Sequence, residues 1–323
     1  LGTAVNVARD LVNELSNVQT PLPLAQEVQA LGETYGFQVE LLAEEKIRSL
    51  GMEALYQVSK GSPNPPVVII MRYTGAPECP VDITALVGKG VTYDSGGLNP
   101  KAGQRFTTMK HDMAGGGTVI GAMCAIAQQK LRCNVVAVVA ACENLISGRA
   151  YKPGDIIGSM GGKTIQINST DAEGRLTLID GITYAIRYEH ASRLVDIATL
   201  TGAARRILGE YGAPVLGNDD SLWSALEAGA KGSGELVCRV PLVPDARAKI
   251  RGDVCDLLNT SLAETGGMVT AALFIEEFVE GKPWMHIDAA GPLWLDHDMP
   301  YTPRGGSGWG VRTLYHMVKG LAR

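Results

Sequence analysis

Four acids stand in Gly-rich or turn-forming stretches of this sequence: Asp94 in YDSGG, Asp112 in MKHDMAGGG, and Asp171 with Glu173 in NSTDAEGRL. Lys89 and Lys101 flank Asp94 in LVGKGVTYDSGGLNPK, and Arg175 follows Glu173. On an extended backbone, residues two apart point to one side, so Asp171 and Glu173 would repel unless cations sat between them. Taken alone, the pair has another explanation: a helix start with Thr170 or Asp171 as N-cap and acids in the first turn before RLTLIDGI. Asp94 and Asp112 have one too, as turn aspartates beside glycine. The alternative is that all four carboxylates gather around hard cations. Oxygen ligands suit Mg²⁺ or Mn²⁺, and carboxylates also bind Zn²⁺. His111 is the only histidine near these stretches, which argues against a His-dominated zinc site. A phosphate reading is weaker, because GKGVTYDSGG holds neither a Walker pattern nor GxGxxG; Lys89 alone would have to serve.

Such groups need a frame that brings distant segments together. Apolar spacing predicts helices over 5–15, 24–31, 44–56, 118–129, 176–188, 221–230 and 268–279, with a last one from Val311. Strands are predicted over 37–42, 67–72, 83–87, 135–141, 164–167, 194–198 and 284–287, with the 83–87 strand leading into a Gly-rich loop. Strands alternating with helices predict an α/β class: a three-layer α/β/α domain around a central mixed, largely parallel β-sheet. The acids and cations fall at predicted strand ends, where open α/β sheets bind ligands. No linker stands out after the first sixty residues, so residues 1–323 are expected to form one domain.

Composition fits a globular chain: 323 residues, 46% hydrophobic and 20% charged. The formal net charge of -5 argues against a dominant nucleic-acid surface. The longest apolar strand, VVAVVAAC at 135–142, is too short to span a membrane, and LGTAVNVARDLVNEL lacks a signal-peptide core. The six cysteines show no metal-type spacing and are expected to be free, mostly buried thiols in a reducing, cytoplasmic setting. The first residue is Leu, which fits a processed or truncated piece of a longer protein.

The segments VGKGVTYDSGG, MKHDM, NSTDAEGRLTLIDG and DIATLTGA, with Lys101 between the first two, resemble the leucyl aminopeptidase family. ACENLISGRAYKPGDII is most similar to its peptidase B branch, and the resemblance runs from ARDLVNEL to GWGVRTL. It implies a two-metal exopeptidase whose cofactors are two divalent ions (Zn²⁺ or Mn²⁺, with Co²⁺ or Mg²⁺ tolerated) and bicarbonate. One metal would be held by Asp94, Asp171, Glu173 and the main-chain carbonyl of Asp171. The other would be held by Lys89, Asp94, Asp112 and Glu173. Lys89 would have to be neutral, which a neighbouring dication favours; its plain alternative is an ion pair with one of the acids. The resemblance further implies that the substrate's free α-amine faces Asp112 and that the Lys101 ammonium polarises the scissile carbonyl. Arg175 would hold the bicarbonate as a proton shuttle, its alternative being a helix-surface Arg. Met109, Thr199, Gly202, Ala290 and Leu293 would line an apolar pocket for a Leu- or Met-like first side chain, although Met109 and Leu293 could equally be plain core.

Four positions depart from the family pattern: Ser169 where Asn is usual, His111 where a small residue is usual, and Asn99-Pro100 before Lys101 where a Ser-Ile pair is more typical. They spare the expected ligands and leave fine substrate preference open. Relatives also carry an additional N-terminal α/β domain, little of which can precede Val5. The family forms homohexamers, and Trp294 and Trp309, in Gly- and Pro-rich loops, are expected to serve as contacts or else to close the cleft. Peptides are the expected partners; membranes and nucleic acid are not. The competing readings are a Cys-Gly-type dipeptidase and a DNA-binding accessory role.

Overall fold

The computed structural model describes residues 1–262 and 265–322, with all their side chains except those of residues 104 and 105. Its main sheet has eight strands. In spatial order they are Gln38–Leu42, Val67–Thr74, Asn134–Asn144, Ile83–Asp94, Arg193–Ala198, Trp284–Asp288, Gly212–Gly217 and Leu236–Arg239. The inner four run parallel, and antiparallel pairings occur between them and the strands on either side. Alternate side chains feed two cores: Val135, Ala137 and Val139 enter one layer, while Val136, Val138 and Ala140 enter the other. Burial on both faces explains why this strand reads as an unbroken apolar run. The Gly2–Asn13, Ala114–Gln128 and Val311–Leu321 helices cover the first face; Glu53–Ser59, Gly174–Arg187 and Gly267–Glu276 cover the second. The three-layer α/β/α expectation therefore holds.

The Ile83–Asp94 strand is the hinge of the topology. The next main-sheet strand, Asn134–Asn144, pairs on one side of it, and Arg193–Ala198 pairs on the other. Carboxyl ends of parallel strands open outward at such a reversal and leave a crevice for a ligand. Asp94 and Asn144 end two of these strands, and Thr199 directly follows a third.

Several local expectations need correction. The strand from Ile83 does not stop at Val87 but continues to Asp94, so Lys89 and Asp94 are strand residues. Twelve residues buried nearly throughout carry no alternation, and the glycines within them mimic a loop. Residues 44–56 form two short helices, Glu44–Ser49 and Glu53–Ser59, separated at Gly51, whose φ is +71°. Gly212–Gly217 and Leu236–Arg239 were not anticipated, because Gly and Pro dominate GAPVLG. MKHDM falls in a 3-10 helix, Gly103–Met113. Trp294 and Trp309 are only 9% exposed and belong to the core, so they are not a contact surface on this chain. The cysteines are free as expected, but only Cys124 and Cys142 are fully buried; Cys238 is exposed. Among the described residues, no helix is long and apolar enough to cross a membrane.

One buried acid ties the layers together. Asp180, on the Gly174–Arg187 helix, accepts hydrogen bonds from Leu55 N and Met160 N, each at 2.9 Å. It thereby satisfies an orphan N–H in the first turn of the Glu53–Ser59 helix from a distance. Burial pushes its carboxyl up to about 7, against the pull of the Leu55, Met160 and Ala54 N–H groups. A carboxyl raised in this way binds its proton more tightly in the folded chain than in the unfolded one. The resulting stability is complete below the unfolded value and is lost as pH rises through about 7. Asp180→Asn places an amide against a backbone N–H and should cost about 1–3 kcal/mol. In urea titrations, its deficit relative to the unmodified chain should be larger at pH 5 than at pH 8. A deficit independent of pH would show that Asp180 does not titrate in that window.

Candidate active site

The strand hinge places Lys89 and Asp94 with their side chains buried in the crevice. The Lys89 ammonium lies 2.6 Å from Asp112 Oδ2 and 2.7 Å from Glu173 Oε1, and it donates to the Thr199 carbonyl at 3.2 Å. The Lys101 ammonium lies 2.5 Å from Asp94 Oδ2 and 2.6 Å from Asp171 Oδ1. Each lysine thus spans two acids, and the acids outnumber the ammonium groups two to one. Lys89, Asp94, Asp112 and Glu173 are all buried; Asp171 is the solvent-facing member, with its side chain 40% exposed.

Local backbone explains the convergence. Gly96 and Gly97 have φ of +87° and +63°, a turn that folds the chain back so that Lys101 N donates to Ser95 O. Glu173 is the N-cap of the Gly174–Arg187 helix, where the helix dipole favours a carboxylate. It caps through position alone, since its side chain makes no capping hydrogen bond. The N-cap expectation for Thr170 or Asp171 therefore misses by two residues or more, and the segment is a turn and not extended. A Cβ on Gly174 would come within 2.6 Å of Lys89 Cε, so a side chain there would push the lysine from its place between two acids.

Three supports escaped the sequence reading. Asn144 Nδ2 donates to Asp94 Oδ1 at 2.8 Å and to Thr170 O at 2.9 Å. Asn99 and Thr170 pair reciprocally: Asn99 N donates to Thr170 Oγ1, and Thr170 N donates to Asn99 Oδ1, both at 2.8 Å. Thr199 Oγ1 donates to Asp112 Oδ1 at 2.7 Å. The only sequence signals were a polar residue ending an apolar strand, in ACEN, and the Asn99-Pro100 departure itself. That departure clamps the two acid-bearing loops together. His111, another departure, stacks on Trp294 at 5.0 Å, and burial pulls its imidazole down to about 4.

The electrostatics follow burial and neighbours. Burial, then Glu173 and Asp112, hold the Asp94 carboxyl well above its ordinary value. Burial also pushes Asp112 up to about 6 despite Lys89. For Glu173, burial is outweighed by Lys89 and Lys101, and its carboxyl is lowered. Lys89 is likewise desolvated, yet Asp112, Glu173 and Asp94 together raise it. Lys89 is thus ion-paired with both Asp112 and Glu173, the plain alternative named for it. Arg175 Nη1 donates to Asn259 O at 2.9 Å, but its buried Nε has no partner, and burial pulls the guanidinium down to about 10.

The donor set fits a divalent cation. Asp94, Asp112 and Glu173 each offer an oxygen within 4.8 Å of the others. Glu173 Oε2 is buried and has no hydrogen-bond partner. Asp94 Oδ2 and Asp112 Oδ2 touch lysine ammonium groups but lack hydrogen-bond geometry.

Of the five expected pocket residues, Gly202 is the one among the residues that line an open cleft of about 660 Å³, together with Asp171 and Arg175. Thr199 holds Asp112. Met109 and Ala290 are half-buried, and Leu293 is core at 1% exposure.

Residues 6–315 match the family model described as the cytosol aminopeptidase family, catalytic domain. The chain belongs to the cytosol aminopeptidase family. It is 52% identical, over 97% of its length, to a probable cytosol aminopeptidase of Clostridium perfringens. It is 44% identical, over its whole length, to one of Alkaliphilus metalliredigens. It spans 63% and 64% of the length of those two relatives. Among solved structures, the bottromycin maturation enzyme BotP in complex with Mn superposes with a TM-score of 0.94 at 36% identity. That alignment covers 99% of this chain and 70% of BotP.

If the acid cluster binds a cation, folding and binding are linked. At a hundredfold excess over Kd, Mn²⁺ or Zn²⁺ should stabilise the chain by about 2.7 kcal/mol. Asp94→Asn should abolish that gain in thermal unfolding; an equal gain in the variant would remove Asp94 from the ligand set.

Proposed function

We propose that residues 1–323 form the catalytic domain of a metal-dependent aminopeptidase that removes the first residue from peptides with a free α-amine. The observation that carries this reading is the buried, lysine-bridged acid cluster, which leaves Glu173 Oε2 without a partner. In this reading Lys89, Asp94, Asp112, Asp171 and Glu173 would hold two divalent ions. Bound there, such ions would supply Lewis acidity and a more acidic water at neutral pH.

The chain's own residues do the rest. Asp112, kept in orientation by Thr199, receives the substrate's ammonium end. A blocked amine cannot make that contact, which accounts for exopeptidase action. Lys101, fixed by the Gly96-Gly97 turn, offers its ammonium to the oxygen that gains charge during attack. Arg175, with an unpartnered buried Nε beside the cleft, would hold an anion such as bicarbonate, which would supply a proton acceptor there. Half-buried Met109 and Ala290 fit the edge of an apolar pocket for a Leu- or Met-like side chain, whereas Leu293 acts from within the core.

The test is leucine-arylamide hydrolysis by chelator-treated protein, with Zn²⁺, Mn²⁺, Co²⁺ and Mg²⁺ restored one at a time. Activity should vanish on chelation and return with at least one ion. Lys101→Ala should lower kcat by roughly 10²–10³ while metal content stays near that of the unmodified chain. Arg175→Ala should slow turnover less, because buffer anions can substitute. An unchanged kcat for Lys101→Ala would end its assigned role.

A further inference from the structure

The open cleft lined by Asp171 and Arg175 also carries a different chemistry. One of its walls is the Gly202–Leu208 helix, which presents Arg206 and Ile207; Val269 and Thr265 also line the space. The helix carries two adjacent arginines with different fates. Arg205 is neutralised by Asp296 at 2.6 Å. Arg206 is exposed, donates from Nε to Gly202 O at 3.2 Å, and forms no ion pair among the described residues. Among the described residues the only acid lining the cleft is Asp171, and Lys101 occupies it. The region is therefore dipolar: excess negative charge lies buried at Asp94, Asp112 and Glu173, and the open cleft carries at Arg206 a cation without an ion pair among the described residues. Asp112 and Lys89 are buried and do not line the open cleft, so on the aminopeptidase reading a substrate whose amine sits at Asp112 leaves its following residues to that cleft.

We propose that Arg206 is a specificity-determining residue that reads a carboxylate on the substrate beyond the scissile bond, so that this cleft selects short peptides carrying that charge. The inference rests on the aminopeptidase reading and deepens it. A zwitterionic peptide has the matching polarity: its ammonium faces the acid cluster while its carboxylate faces Arg206. The carboxylate can come from the C-terminus of a di- or tripeptide, which spans roughly 7–10 Å when extended. It can also come from an acidic side chain in a longer peptide. Both sources offer the guanidinium the same planar, bidentate partner.

Matched substrates separate the outcomes with metal-loaded protein. Leu-Gly-Gly is compared with its C-terminal amide, and Leu-Glu-amide with Leu-Gln-amide, for the unmodified chain, Arg206→Ala and Arg206→Glu. The unmodified chain should favour at least one charged member by about fivefold in kcat/KM, the scale of a partly exposed ion pair. Arg206→Ala should bring that ratio near one, and Arg206→Glu should reverse it. Leucine arylamide, which has no carboxylate, should be cleaved equally by all three, showing that the fold and metal site are intact. The first pair responding alone identifies the C-terminus as the source, and the second alone identifies a side chain. A charge ratio unchanged by Arg206→Glu would overturn the proposal while leaving the aminopeptidase reading in place. An unmodified chain that cleaves no leucine substrate with any metal would remove that reading, and this one with it.

Discussion

Mutual repulsion among buried carboxylates is the constraint on which this structure turns. Asp94, Asp112 and Glu173 bring oxygens within 4.8 Å of one another in a region sealed from water. Such a cluster is unfavourable unless positive charge is interleaved. Lys89 and Lys101 provide part of it, each between two acids. Asp171 completes the set at the rim, where solvent lowers the cost of its charge. The arrangement remains net negative, and Glu173 Oε2 has no partner. A fold that buries such groups gives up stability, and a dication is the natural means of recovering it.

The scaffold confines the cluster through rigid elements. The two interior strands ending at Asp94 and Asn144 are hydrogen-bonded neighbours, with those two residues directly paired. Asn144 can therefore hold Asp94 and the Thr170 loop at once. Behind them lies a second buried polar row. Asp196 bonds Trp284 Nε1 at 2.6 Å and His286 Nδ1 at 2.5 Å, and Asp288 accepts from Thr201 Oγ1 at 2.6 Å. The Thr201 hydroxyl caps the Gly202–Leu208 helix through Ala204 N. The segment 199–201 is thus fixed on one side by Asp288 and presents Thr199 to Asp112 on the other. Polar groups at this depth hold geometry only when their partners are in place.

Legibility in the sequence followed the range of each interaction. Apolar runs such as 135–141 and amphipathic stretches such as 311–321 marked elements within a few residues, because burial periodicity is local. The α/β class followed from their alternation. The chemistry-bearing residues stood out by type and by proximity to glycine, and long ordered motifs connected them to a family. What the sequence hid was pairing across space. Nothing near Asn144 announces Asp94, fifty residues earlier, and nothing near Asn99 announces Thr170. The Ile83–Asp94 strand was cut short because glycines within a fully buried strand look like a loop. Trp294 and Trp309 were misplaced for the same reason: their neighbours are Gly and Pro, yet tertiary packing covers them.

The same reasoning explains why the acids remain ambiguous one at a time and stop being so together. A turn aspartate, a first-turn glutamate and a strand lysine are each ordinary structural residues. They become unusual only when three loops close on one point, and the closure is built from contacts separated by about 20 to 110 residues. Such contacts form only after the sheet has assembled, since long loops must be closed before the contacts stabilise anything. The site is accordingly a property of the finished topology. Its precision is inherited from the parallel strands, whose ends cannot shift without disturbing two cores at once.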